Sequence, residues 1–276
     1  MFILLIYNVG SLGTAESFMS RSSPPESASG FHWAPAPWGY QLQSDALRRF
    51  PHGWTTRQLA LRGSPDQEAQ AWAEVAAAGE RDSAALVRLR QVHGGIVYCP
   101  NGSGPVADRP QADAALSSDA SILLTVQVAD CVPIVFGDSS TNTVAVAHAG
   151  WRGTAAGIAG ATLSALARHR VRVTDVVAAI GPSIGPCCYR VGAELVDAFR
   201  DAGWPKETAT WFEQRADGWY LDLWRANTDQ LVQQGVKRDA VHVAGLCTAC
   251  HPDWFFSYRR EGAGTGRMAA YVAARR

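Results

Sequence analysis

The 276-residue chain carries no excess of either charge: 25 Lys and Arg stand against 25 Asp and Glu. This balance excludes the basic footprint of a nucleic-acid binder, while a small anionic substrate, which needs only a local pocket of positive charge, stays compatible with it. Nowhere does an apolar run reach the roughly 18 residues that a membrane-spanning helix needs. The opening stretch Phe2 to Tyr7 is short and without a basic flank, so no signal peptide is expected. A P-loop is missing, as is the zinc-deaminase pair of His-x-Glu with Pro-Cys-x-x-Cys, and no nucleophile elbow is expected. What remains is ordinary globular composition, 47% hydrophobic and 18% charged, in a chain long enough to bury a sizeable core.

Six cysteines, at 99, 131, 187, 188, 247 and 250, are not needed as staples in a chain of this size. Cys187 and Cys188 are adjacent, which makes a bond between them geometrically awkward. Such usage suits a reducing cytoplasm. Residues 1–45 read as a flexible N-terminal extension, since Ser20 to Gly30 is rich in Ser and Pro, Pro35 and Pro37 follow, and Met19 offers a second start. Residues 46–276 read as a single catalytic domain of α/β class. Helices are expected over 66–79, 154–169, 191–201 and 224–235. Short apolar β-rich runs predict strands at 86–92, 122–128, 133–136, 144–147, 176–180, 219–222, 240–246 and 254–258, with the consecutive strands between 122 and 147 in one mixed sheet.

Three polar residues end or interrupt these runs: His93 in Gln-Val-His-Gly, Cys131 in Ala-Asp-Cys-Val-Pro, and His148 in Ala-His-Ala-Gly-Trp-Arg-Gly. Gly or Pro follows each within a few residues, so the backbone turns there, as it does at many binding sites. Two imidazoles and a thiolate suit zinc and leave a fourth position open. Spacing alone favours a second reading, that of two hydrogen-bonded core histidines and a buried free thiol. Gly150-Trp-Arg-Gly-Thr154 joins the His148 strand to a helix, placing backbone N–H groups and Arg152 where a phosphate or carboxylate can bind; an ordinary glycine turn explains it as well. Asp130, beside Cys131, is a candidate to orient a ligand or move protons, or else to cap a turn. Cys247-Thr-Ala-Cys250-His251 spells the Cys-x-x-Cys-His of haem attachment, but export is not expected and Met268 is the only later methionine.

Taken together, the motifs resemble the bacterial laccase-domain or polyphenol oxidase family, whose members are also known as peptidoglycan editing factors and purine nucleoside phosphorylases. The resemblance rests on Gln91-Val-His-Gly94, Thr125 through Ala129-Asp-Cys-Val-Pro133, His148-Ala-Gly-Trp-Arg-Gly153 and Gly181-Pro-Ser-Ile-Gly-Pro-Cys-Cys-Tyr189. It continues through Asp222-Leu with Asn227, Cys247-Thr, Phe255-Phe-Ser-Tyr-Arg-Arg260 and Thr265-Gly-Arg267, covering roughly residues 86–272 in the family's order. It implies a single three-layered domain of mixed β-sheets flanked by helices, with zinc, rather than copper, on His93, Cys131 and His148. Cys250 and His251 fall in the family's variable stretch, so the haem-like spelling is read as an accident.

What the resemblance implies for function is zinc-dependent phosphorolysis of adenosine, inosine or methylthioadenosine, with adenosine deamination as a companion activity. Cys131, Asp130 and Arg152 are the catalytic candidates, and Gln91, Arg259 and Arg260 the substrate-binding ones. Partners would be a nucleoside and phosphate, with no nucleic acid and no membrane, for a monomer or small homo-oligomer. Two alternatives stand beside it. One is a cysteine hydrolase editing cell-wall precursors, with Cys131 as nucleophile and His148 as its base. The other is a laccase, for which seven histidines are few. One departure concerns the pocket: Thr55-Thr-Arg57 runs into Gln-Leu-Ala-Leu-Arg-Gly-Ser, without the family's Asn-Leu-Gly.

Overall fold

The computed structural model describes residues 23–100 and 109–276; Met19 and the opening apolar run lie outside them. Two six-stranded sheets dominate. The first runs β1 (Phe31–Ala36), β2 (Gly39–Ser44), β3 (His52–Thr55), β15 (Met268–Ala273), β7 (Leu123–Val128), β4 (Leu86–Arg88). The second runs β14 (Val241–Val243), β10 (Val177–Ile180), β8 (Val132–Asp138), β9 (Thr143–Ala149), β6 (Ala114–Ser117), β5 (Val97–Tyr98). Each is mixed: β4 and β7 are parallel, as are β5 with β6 and β10 with β14, and the remaining neighbours are antiparallel.

Side-chain parity shows how the sheets stack. Along β15, Met268, Ala270 and Val272 enter one core, while Ala269, Tyr271 and Ala273 enter another against α1 (Pro65–Ala78). Along β8, Val132, Ile134 and Phe136 face helices, while Val135 turns back toward the first sheet. The order is therefore α1, first sheet, second sheet, and then α3 (Ile158–Arg168) with α6 (Leu223–Gln233). Strands buried on both faces read as near-continuous apolar runs, which is why β8 and β9 stand out in the sequence. A three-stranded sheet of β11 (Arg190–Val191), β13 (Gly218–Leu221) and β12 (Phe212–Arg215) closes one end, with α4 (Ala193–Asp201) and α5 (Thr208–Trp211). Among the described residues no helix is long and apolar enough to cross a membrane.

Helix α1 has the start its sequence announces: Ser64 accepts from the Gln67 N–H, Gln67 returns the bond in a capping box, and Pro65 opens the first turn. Four expectations are corrected. Strands β1 and β2 form a hairpin inside the segment expected to be a flexible extension, and Trp33 packs there against Trp254 with ring centroids 5.1 Å apart and tilted by 51°. The helix expected over 154–169 is two, α2 (Trp151–Ala155) and α3, because Gly157 adopts φ 73° between them. The run from 122 to 147 is divided, with β7 in the first sheet and β8 and β9 in the second. The aromatic run 254–258 is not a strand: Ser257 accepts from the Arg260 N–H and caps the short helix α7 (Tyr258–Glu261).

Buried His52, at the start of β3, links the fold to pH. Its Nδ1 donates to the Phe50 carbonyl at 2.8 Å and its Nε2 accepts the Ser44 N–H at 2.9 Å, so protonation would break the second bond. Burial, the largest influence, lowers its pKa to about 4. The unfolded chain takes up this proton near pH 6.5 and the folded chain only near 4, so the stability is full above the first value and lost on descending to the second. The loss is about 3 kcal/mol. Urea midpoints at pH 7.5, 5.5 and 4.5 should fall more steeply for the wild type than for His52→Gln; parallel slopes would assign the acid sensitivity elsewhere.

Candidate metal centre and its cavity

The chain crosses from the first sheet to the second between Val128 and Val132, and the crossing residues carry the site. Asp130 sits there at φ 84°. His93 sits at φ 61° in the turn after β4. Non-glycine residues with positive φ are costly and persist where surroundings hold them. His148 lies near the end of β9, on the face that looks toward the first sheet. One ring nitrogen each of His93 and His148 and the sulfur of Cys131 all lie within 4.8 Å of one another. The two imidazole rings meet edge to face, with centroids 4.8 Å apart at 77°.

One residue that sequence reasoning missed organises this cluster. Asp113, fully buried just before β6, accepts from His148 Nδ1 at 2.9 Å. It also accepts the backbone N–H groups of Val92, His93 and Gly94 at 3.2, 2.9 and 2.7 Å. A carboxylate here requires Nδ1 to be the protonated nitrogen, which leaves Nε2 of His148 for the cluster. The same carboxylate fixes the turn that presents His93. Burial alone would raise the Asp113 pKa, but the His148 bond and the Gly94 and His93 N–H groups outweigh it and hold it below the usual carboxylate range.

Charge within the cluster follows from proximity. Burial, the largest influence on both Cys131 and His148, opposes ionisation, yet each is overcome by its neighbours. His148 and then His93 bring the Cys131 thiol down to about 6, and Cys131 with Asp113 brings His148 up to about 9. The donor set of one thiolate and two imidazoles, gathered in a small volume with an orienting carboxylate behind one ligand, fits a tetrahedral cation with one position open.

Gly150 forms the wall beside the cluster. A Cβ there would come 2.7 Å from Cys131 Sγ and 3.2 Å from His93 Cδ2. Gly150→Ala is therefore expected to displace the sulfur and lower the metal retained after dialysis by about ten-fold or more. Metal analysis beside circular dichroism checks this; full metal retention would show that the wall can yield.

The cluster opens into a cavity of about 710 Å³. Among the described residues five arginines line it, Arg90, Arg109, Arg152, Arg259 and Arg267, against a single carboxylate, Asp130. That carboxylate is already occupied: Oδ1 accepts from Thr248 Oγ1 and Oδ2 from the Arg259 N–H, each at 2.6 Å. The cavity is thus electropositive in a chain of zero net charge. Trp151, Tyr189 and Tyr258 supply aromatic walls. Burial, followed by the charge on Cys131, pushes the Tyr189 phenol up, so it remains a neutral donor.

Of the residues proposed from sequence, His93, Cys131, His148, Asp130, Arg152, Gln91 and Arg259 line this cavity, and Arg260 does not. Arg260 turns to the Ala249 carbonyl at 3.4 Å. Gln91 spends its side-chain amide on the backbone of Gln127, donating at 2.8 Å and accepting at 2.8 Å, which pins the end of β7. Arg152 lies over the Trp151 ring at 4.3 Å, and Arg259 over Tyr189 at 5.0 Å. The letters Gly-x-Ser-x-Gly do occur, at Gly181 to Gly185, against the sequence reading. Ser183 is not a nucleophile on an elbow: it is fully buried, accepts from Trp224 Nε1 at 2.7 Å, and leads to a turn rather than a helix.

Three comparisons place this arrangement. The family model described as multi-copper polyphenol oxidoreductase laccase matches residues 58–275. Purine nucleoside phosphorylase YlmD of Geobacillus stearothermophilus is 42% identical over 197 residues, 68% of this chain and 72% of that protein. Adenosine deaminase RL5, from an unknown prokaryotic organism, is 39% identical over 189 residues, 66% of this chain and 72% of that protein. Among solved structures, the hypothetical protein YfiH of Bacillus licheniformis superposes with a TM-score of 0.81 at 26% identity, covering 90% of this chain and 100% of that one.

Proposed function

Because this chain belongs to the multi-copper polyphenol oxidoreductase laccase family, we propose that it is a zinc-dependent purine nucleoside phosphorylase that also deaminates adenosine. The observation that carries the reading is the opening of the His93–Cys131–His148 cluster into an arginine-lined cavity. Relatives named for phosphorolysis and for adenosine deamination support the same substrate class.

In phosphorolysis an oxygen of inorganic phosphate bonds to C1′ of the ribose while the bond from C1′ to the purine nitrogen breaks. The products are ribose 1-phosphate and the free base. Arg152 and Arg259 are the candidates to hold the phosphate, as the sequence reading has it, and Arg267 joins them. Each guanidinium keeps its charge and offers a fork of donors to phosphate oxygens. Trp151 and Tyr258 offer flat apolar surface to the purine, and Tyr189 a hydrogen-bond donor. Gln91 and Asp130 act as positioning residues, the first by pinning β7 and the second by tying the Thr248 and Arg259 loops beside Cys131. A zinc ion on the three ligands would supply Lewis acidity at one open position. The charge balance of the cavity favours small anionic partners, and the free cysteines suit a reducing compartment such as the cytoplasm.

The test is purified protein with adenosine or inosine, with and without phosphate. Phosphate-dependent release of adenine or hypoxanthine supports the proposal; neither base release nor conversion of adenosine to inosine would sink it.

A second reading has its own observation. Cys131, His148 and Asp113 stand in the order of a nucleophile, its base and the base's orienting acid. That order suits a cysteine hydrolase. Zinc and a nucleophilic role compete for the same sulfur, so amide hydrolysis that survives chelation, with a trapped acyl-cysteine, would favour the hydrolase.

A further inference from the structure

Four of the six cysteines meet outside the cluster just described. Cys187 and Cys188 occupy the turn after Gly185, and Cys247 and Cys250 the turn after β14. Their four sulfurs lie within 4.8 Å of one another. Cys250 Sγ stands 3.5 Å from Cys187 Sγ and 3.4 Å from Cys188 Sγ. A disulfide would bring two sulfurs to about 2.05 Å. Four thiolates around one zinc, each about 2.3 Å from it, stand about 3.8 Å apart along the edges of the tetrahedron. The distances here belong with the second figure.

The backbone around the sulfurs is built to the same end. Gly185 N–H donates to Cys247 Sγ at 3.2 Å, a bond that a thiolate accepts well. A Cβ on Gly185 would come 2.7 Å from Trp224 and 3.2 Å from Cys247 Cβ, so only glycine lets the turns approach. Ser183 N–H donates to the Leu246 carbonyl and Thr248 N–H to the Ser183 carbonyl, fixing one turn against the other.

We propose that Cys187, Cys188, Cys247 and Cys250 form a second metal site, a tetrathiolate that takes a soft divalent cation of the zinc type. Soft thiolates select such ions over magnesium or calcium, which prefer oxygen. With four protein ligands the site has no open position, so its work is structural. It joins two turns that each serve the cavity: one delivers Tyr189 to the wall, and the other delivers Thr248, whose hydroxyl holds Asp130 next to Cys131. The site stands independently of the metal reading at His93, Cys131 and His148.

The experiment is metal analysis of the full chain after zinc loading and dialysis, for wild type, Cys131→Ala and the double variant Cys187→Ser/Cys250→Ser. Two zinc ions per chain are expected for wild type and one for each variant. Cobalt(II) loading adds an optical signature: Cys131→Ala should keep the intense sulfur-to-cobalt charge-transfer and tetrahedral bands of a four-sulfur site, and the double variant should keep at most the weaker charge transfer of the single Cys131 thiolate. If the double variant does not fold, the cobalt spectrum of Cys131→Ala decides by itself. Equal zinc in the double variant and the wild type would overturn the proposal. So would the absence of a four-sulfur spectrum in Cys131→Ala, or an unreduced native protein whose mass reveals a disulfide among these four. Should the cavity cluster hold no zinc, wild type and Cys131→Ala would both retain one ion, which separates that failure from this one.

Discussion

Cys131→Ala is expected to lower kcat/KM for nucleoside phosphorolysis by about 10³-fold or more, which is about 4 kcal/mol of transition-state stabilisation. The side chain is the only sulfur of the cavity cluster, and its removal leaves His93 and His148 as a two-nitrogen site. The fold should survive, because Cys131 stands at a crossing between sheets and is not among the fully buried core residues. A melting temperature close to that of the wild type, together with lost activity, is the expected pair of results. Cys131→Asp adds a distinction. A carboxylate remains a zinc ligand but is not a thiol nucleophile, so partial phosphorolysis with bound metal supports the zinc reading. Full activity in Cys131→Ala would remove the cluster from the chemistry altogether.

Asp113→Ala should have the largest effect on stability, on the order of 3–5 kcal/mol. The substitution strands three backbone N–H groups and the His148 ring nitrogen, all of which the fully buried carboxylate serves. At this size of domain the loss corresponds to a fall of roughly 10 °C in Tm. Asp113→Asn keeps the volume and one acceptor, so it should melt nearer to the wild type. It nonetheless removes the negative charge that fixes the His148 tautomer, and metal affinity should drop about 10–100-fold. Calorimetry and metal titration of the two variants separate support of the turn from orientation of the ligand. An alanine variant that melts within about 2 °C of wild type would refute the central place given to this carboxylate.

What the sequence made legible follows from how local each signal is. Helix α1 announces itself through neighbours: Ser64, Pro65 and Gln67 lie within four residues and cap their own helix. Strands β8 and β9 are nearly continuous apolar runs because both faces are buried. The three cluster ligands stand out as polar interruptions of such strands, and the ordered motifs around them supplied the resemblance. Asp113 gave no comparable signal, since its partners are 19 to 35 residues distant and meet it only once β6 lies beside β9. The cysteine quartet was hidden for the same reason, with 58 residues between Cys188 and Cys247. Residues 254–258 misled in the opposite direction. Their aromatic content favours a strand, but the Ser257 cap and the packing of Trp254 on Trp33 set a turn and a helix instead.

Strand β15 lies between β3 and β7, with Trp54 opposite Ala270 on one side and Val126 opposite the same residue on the other. The middle of the first sheet is thus filled by a strand that a ribosome releases after every other strand of the two large sheets. Until Met268–Ala273 has emerged, β3 and β7 have no common neighbour, and Arg267 is absent from the cavity wall. Vectorial synthesis therefore cannot finish this domain piece by piece. The second sheet can pair early, but the cavity closes only when the last central strand is threaded into place, and a nascent chain halted before it exposes two unpaired strand edges to its surroundings.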